Sequence, residues 1–250
     1  MPMTVFGPHP GVPSSAIVEL RQYTLKYGRR DALIELFDRE FVETQEAVGM
    51  TVLGQFNDLD EPDRFVWLRG FPDMPTRAAG LEAFYGGPVW RRHSGAANAT
   101  MIDSDNVLLL VPASASTTIV APERLPFAYP PRYRERIVAA IICPQPHCVS
   151  SFAGFFADAV RPLLVETGAT ILGEYVTSTQ ANNFPRLPVR EGARAFVVFC
   201  RFDDASAFES HRVALARHRR WVNGISSELL SRLGAEPELL RLSPTDRSRL

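Results

Sequence analysis

A single lysine, Lys26, stands among the 27 basic residues of this 250-residue chain. We read that scarcity as the coding bias of a GC-rich genome and attach no chemistry to it. Cysteine is scarce too. Three residues, an odd number, argue against a disulfide framework and for reduced thiols in the cytoplasm. Long apolar runs are missing: the longest, such as 107–111 and 137–143, have the length of strands, far from the roughly 20 residues a membrane helix needs. No excess of one charge exists either. The 27 basic side chains face 28 acidic ones, so no broad basic face is implied and nucleic acid is a poor partner. The opening Met1-Pro2-Met3-Thr4 lacks the basic patch and apolar stretch of a secretory signal. Also missing are a glycine-rich phosphate loop, a G-x-S-x-G elbow and an H-E-x-x-H helix. No cofactor is expected.

What is present is a pattern stated twice. Gly49-Met50-Thr51-Val52-Leu53-Gly54-Gln55-Phe56 returns as Gly168-Ala169-Thr170-Ile171-Leu172-Gly173-Glu174-Tyr175, with only conservative exchanges. Arg64–Asp73 is matched by Arg194 followed by Ala195–Asp203. Two copies of one supersecondary unit are expected to bury their apolar faces against each other.

Hydrophobic periodicity fills in the units. A strand over 17–25 precedes a helix over 30–48, which Gly49 stops. Strands over 51–57 and 64–71 form a hairpin. Helices follow over 76–85 and 89–101, separated by Gly86-Gly87-Pro88, and a strand over 106–111 ends at Pro112. The second unit repeats the order: strand 135–143, helix 151–166 with a kink expected at Pro162, hairpin 170–177 and 194–202, helix 205–233, strand 238–242. Its hairpin loop, 178–192, is about a dozen residues longer than its counterpart, a length found in functional lids or disordered segments. The expected class is α+β: two ferredoxin-like β-α-β-β-α-β repeats forming a fused dimeric α/β barrel. The parts are a loose arm (1–15), repeat one (16–112), a Pro-rich linker (113–134), a divergent repeat two (135–244) and a C-terminal tail (245–250).

Specific residues carry a resemblance to a known family. The segment 18–28 (VELRQYTLKYG) resembles the opening strand of NIPSNAP-domain proteins. The segment 84–93 (FYGGPVWRRH), then 96–99 (AANA) and 101–104 (MIDS), resembles their later segment, and 106–110 with Pro112 their closing strand. The resemblance covers about 16–112 closely and 135–244 more weakly. It implies the dimeric α/β-barrel superfamily, which also holds small antibiotic-pathway monooxygenases, haem-degrading enzymes and chlorite dismutase relatives. It implies a fold without a shared chemistry.

Glu19, Arg21 and Tyr23 alternate, so they share one face of the first strand, with Val18 and Leu20 on the other. The expectation is that the polar face looks into the barrel lumen and the apolar face lies under helices. Thr51, Leu53 and Gln55 are expected on one face of the second strand, and Phe65, Trp67 and Arg69 on one face of the third. Glu174 stands where the first copy has Gln55, and Cys200 where it has Arg69. A lumen lined by Glu19, Arg21, Tyr23, Gln55, Trp67, Arg69 and Glu174 would suit a carboxylate, phenolate or enolate. The same residues also read as Glu19–Arg21 or Glu174–Arg69 ion pairs that merely fill the barrel. His93 is the candidate general base, or else a helix-surface histidine. His211 and His218 lie among arginines, on a solvated or subunit-contacting face. Cys143-Pro144-Gln145-Pro146-His147-Cys148 fits no standard zinc spacing, and no metal is expected. Two functions remain open: a small-molecule protein, including a cofactor-free oxygenase or isomerase, and a non-catalytic scaffold using its outer helices. A homo-oligomer is compatible with both.

Overall fold

Eight antiparallel strands close into one barrel in a computed structural model of the protein, which describes residues 15–124 and 135–250. The expected arm, apart from Ser15, and the last ten residues of the expected linker lie outside the described residues. The first half lays down β1 (Ile17–Leu25), the helix α1 (30–46), β2 (Thr51–Asp58), β3 (Arg64–Phe71), α2 (Met74–Tyr85), α3 (Pro88–Thr100) and β4 (Met101–Pro112). The second half lays down β5 (Ile137–Pro144), α4 (149–166), β6 (Thr170–Thr177), β7 (Ala195–Phe202), α5 (Ala205–Arg217), α6 (221–231) and β8 (Glu238–Pro244). Around the barrel the order is β1-β3-β2-β8-β5-β7-β6-β4. Each half therefore contributes four neighbouring strands, and β2–β8 and β4–β6 join the halves.

The doubled motif has a structural reason. Gly49 and Gly168 follow α1 and α4 at φ +84 and +111, a region costly for residues with a Cβ. Gly54 and Gly173 sit at matching β-bulges, between the partners of Val52/Gly54 and of Ile171/Gly173. A Cβ on Gly54 would lie 2.5 Å from the Phe56 ring, and one on Gly173 would lie 2.8 Å from both Tyr175 and Ile119.

Both halves also carry a π-helical turn at the same place, Phe37–Phe41 in α1 and Phe156–Val160 in α4. The second ends just before Pro162. The first has no proline near it, so the ring is not what makes the turn.

Three apolar clusters follow from the sheet faces. The lumen is filled by Val18, Leu20, Leu53, Phe56, Val66 and Leu68 of the first half against Val138, Ala140, Tyr175, Val197, Phe199 and Leu242 of the second. Ile119, Ala121 and Leu250 join it, so the C-terminal tail, 245–250, is largely buried against the barrel. The other two clusters lie between the outer sheet face and the helices of each half.

The expected orientation of β1 is thus inverted. Val18 and Leu20 point into the lumen, whereas Tyr23, Phe65 and Trp67 pack outward beneath the helices. The bulge at Leu53-Gly54 also separates Leu53, in the lumen, from Gln55, which faces α1. Among the described residues, no helix is long and apolar enough to cross a membrane.

Candidate functional site

The polar face of β1 lies against α1 and α2, and it builds a buried ion cluster there. Glu19 pairs across the strand ladder with Arg69. Its Oε2 accepts from Arg21 Nη1 at 2.9 Å and from Arg69 Nη2 at 2.6 Å; its Oε1 accepts from Arg77 Nε at 2.7 Å. All four side chains are fully buried. Burial alone would push the Glu19 carboxyl up, but Arg69, Arg21 and Arg77 outweigh it and hold the group well below the usual carboxylate range. Neutral acceptors complete the shell. Arg69 Nη1 donates to Gln45 Oε1 at 2.9 Å, and Arg77 Nη1 donates to Asn183 Oδ1 at 2.7 Å and Asn182 Oδ1 at 3.1 Å.

Arg21 carries the cluster toward the surface. Its Nε donates to the Tyr23 hydroxyl at 3.0 Å. Burial holds the Tyr23 hydroxyl above its ordinary range, against the pull of Arg21, so it stays protonated. Tyr23 is the floor of a cleft of about 370 Å³. Tyr85, Trp90, Asn98, Met101, Ser104 and Asp105 supply walls from the first half. Tyr85 and Trp90 flank the Gly86-Gly87-Pro88 turn, which brings their rings to 4.8 Å.

The remaining wall comes from the second half. Phe184, Arg186, Leu187 and Pro188 belong to the long 178–194 connection between β6 and β7. That segment is tied down along its length. Ser178 N donates to Leu109 O and Arg190 N to Val107 O, so it lines the edge of β4. Asn183 Nδ2 donates to Met74 O at 2.6 Å, Phe184 stacks on Tyr85 at 6.0 Å, and Arg186 pairs with Glu82.

Of the residues expected at the site, Glu19, Arg21, Tyr23, Trp67 and Arg69 come together, but outside the lumen. Arg21 lies over the Tyr23 and Trp67 rings at 5.4 and 5.6 Å, and Arg69 over Trp67 at 4.9 Å. Gln55 goes elsewhere: its Nε2 donates to Asp38 Oδ1 at 3.2 Å, and burial pushes the Asp38 carboxyl up to about 7 against Arg247. Glu174 is in the second half, gripped by Arg161 through two bonds of 2.5 Å, so the expected Glu174–Arg69 pair does not form. His93 does not line the cleft; its Nε2 is 3.6 Å from Glu40 on α1. His211 is buried within the chain, its Nδ1 2.9 Å from the Thr167 hydroxyl, not on the solvated or subunit-contacting face expected for it.

Sequence reasoning missed Arg77. Its signal was available: α2 buries Met74, Arg77, Leu81 and Phe84, so an arginine occupies one place in an apolar helical stripe. It also missed Asn182, Asn183 and Phe184, because loop length alone does not say which half a loop covers.

Geometry of this kind defines a closed α/β barrel with a cleft between sheet and helices. Residues 18–117 match the NIPSNAP family model and form a NIPSNAP domain. No curated protein matches the chain in sequence. Solved structures resemble it over its whole fold. One is "Putative monooxygenase (FN1347)" of Fusobacterium nucleatum subsp. nucleatum ATCC 25586, at 12% identity, covering 92% of this chain and 93% of that one, TM-score 0.58. Another, named in the same way, is from Lactobacillus acidophilus NCFM, at 10% identity, 92% and 94% coverage and TM-score 0.57. A third is described as an anthrone oxidase-like protein, at 11% identity, 94% and 93% coverage and TM-score 0.56. At such identities the likeness is one of fold.

Proposed function

We propose that this protein binds a small organic ligand, acidic or aromatic, in the cleft above Tyr23 and transforms it as a cofactor-free oxygenase or isomerase. One observation carries the reading: the second half has no ion cluster at the matching place. The second half keeps the same strand register but replaces it with apolar residues. Glu19 opposite Arg69 becomes Ala139 opposite Cys200, and Arg21 opposite Trp67 becomes Ile141 opposite Val198. Arg77, four residues after the cap Asp73, becomes Phe208, four after the cap Asp204. A buried ion cluster is costly to keep where packing alone suffices. Its retention beneath an aromatic cleft supports a site.

Tyr23 is the group placed to act. Its hydroxyl oxygen accepts from Arg21, so its proton is free to be donated to a ligand oxygen in the cleft. The names of the structural neighbours favour oxidation of an aromatic substrate. We further infer that the two halves arose by duplication of one ferredoxin-like unit, supported by the doubled motif, the shared strand order and the matching bulges.

The test is mass spectrometry of small molecules released from purified protein, repeated with Tyr23→Phe and Phe184→Ala. A ligand that is retained by the wild type and lost from both variants supports the cleft. Equal retention by all three proteins removes it.

A further inference from the structure

Charge and hydrogen-bond bookkeeping leave the cluster incomplete. Three guanidiniums, those of Arg21, Arg69 and Arg77, face the single carboxylate of Glu19, leaving two positive charges with no side-chain exposure. The other described acceptors are neutral: Gln45, Asn182, Asn183, the Tyr23 hydroxyl and, at 3.5 Å, the Ser104 carbonyl. Donors are also in surplus. Arg77 Nη2 and Trp67 Nε1 are buried and find no acceptor among the described residues. Both cleft tyrosines are backed by this charge, Tyr23 by Arg21 at 5.4 Å and Tyr85 by Arg69 at 6.0 Å. Uncompensated charge in a low-dielectric interior is costly, and it favours any anion brought close to it.

We propose that the cleft takes its ligand as an aromatic oxyanion, a phenolate or enolate, seated on the Tyr23 hydroxyl and balanced by the buried arginines. The inference rests on the cleft reading above. The lining supports an aromatic body: Tyr85, Trp90 and Phe184 surround the space, with Tyr85 and Phe184 already stacked. Tyr23 contributes the hydrogen bond and the cluster behind it the charge, so the deprotonated ligand is preferred over its neutral acid. The ionisable groups around the seat are Tyr85, Asp105 and Arg186 in the lining and Glu82 paired to Arg186, with Glu19 and the three arginines below. Asp105 and Glu82 are exposed, so water screens them more than it screens the buried arginines.

Two probes separate this inference from the reading it rests on: 4-nitrophenol, whose acid and anion absorb at different wavelengths, and its uncharged methyl ether, 4-nitroanisole. We expect 4-nitrophenol to bind at least tenfold more tightly, with the bound chromophore already anionic at a pH where the free probe is mostly protonated. Tyr23→Phe should cut the preference severalfold, and Phe184→Ala should weaken both probes alike. Equal affinity for the two probes, with the bound nitrophenol protonated, overturns the oxyanion while leaving an aromatic cleft. An anion preference that Tyr23→Phe leaves untouched overturns the proposal, and affinities that Phe184→Ala also leaves untouched place the probe elsewhere. Binding of neither probe overturns both. The wild-type comparison decides even if a variant fails to fold.

Discussion

The two halves of the barrel solve the same packing problem with different chemistry. Between sheet and helices, the second half is filled by Phe152, Phe156, Phe196, Phe202 and Phe208 with Cys143 and Cys200. Burial pushes both thiols up to about 12, so they behave as small apolar groups. At the matching positions the first half places Tyr23, Arg69, Arg77 and their partners. The loops differ in the complementary sense. The first half's β2–β3 turn is short, and its link to the second half includes the pair of Asp60 with Arg241 on β8. The second half's 178–194 connection crosses to the first half and walls its cleft. Polar interior and covering loop thus occur on the same side of the molecule, which a purely structural ion cluster would not require.

The largest expected effect breaks the comparison at its centre. Glu19→Ala should cost about 3–5 kcal/mol by denaturant unfolding, because it leaves three buried guanidiniums without their carboxylate. Installing the second half's residues together, as Glu19→Ala, Arg21→Ile, Arg69→Cys and Arg77→Phe, should recover most of that loss and abolish ligand retention. A combined variant no more stable than Glu19→Ala would show that the first half needs its ions to fold. Phe184 is buried in the first half's apolar cluster as well as stacked on Tyr85, so Phe184→Ala should cost about 3–5 kcal/mol. Its effect on ligand retention should exceed that of the exposed Arg186→Ala, whose surface pair with Glu82 contributes little.

Asp38 comes next. It stands at the second position of the first π turn, where the second half has Ala157. Its carboxyl is raised from 3.8 to about 7 by burial, so the folded protein holds a proton that the unfolded chain has released. Stability should therefore fall as pH rises from about 4 to about 7 and level off above that, by at most roughly 1.4 kcal/mol per pH unit. Asp38→Asn should flatten the profile. An unchanged profile in that variant would assign the slope to another group.

Gly54→Ala and Gly173→Ala sharpen the comparison from the side of likeness. Each should cost about 1–3 kcal/mol, since each added methyl meets a buried ring. Clearly unequal losses would mean that the two bulges are not equivalent.

The strands, the hairpins, the stop at Gly49 and the doubled glycine motif were readable from the chain, because each depends on local backbone geometry or on a repeated pattern. The bulges at Gly54 and Gly173 were not, because they show only in the strand register. The alternation of Glu19, Arg21 and Tyr23 against Val18 and Leu20 was readable as well. Which face turned inward was not. Every residue of β1 from Ile17 to Tyr23 is buried, so the strand has no solvent side for polarity to mark. Tertiary structure made that choice through the available partners. The lumen is shared with the apolar inner face of the second half, where Glu19 and Arg21 would have met Val138, Val197 and Phe199 and no counter-charge. On the helix side, Arg77 from α2, Gln45 from α1 and Asn182 and Asn183 from the far loop supply the partners that make burial of the ions affordable.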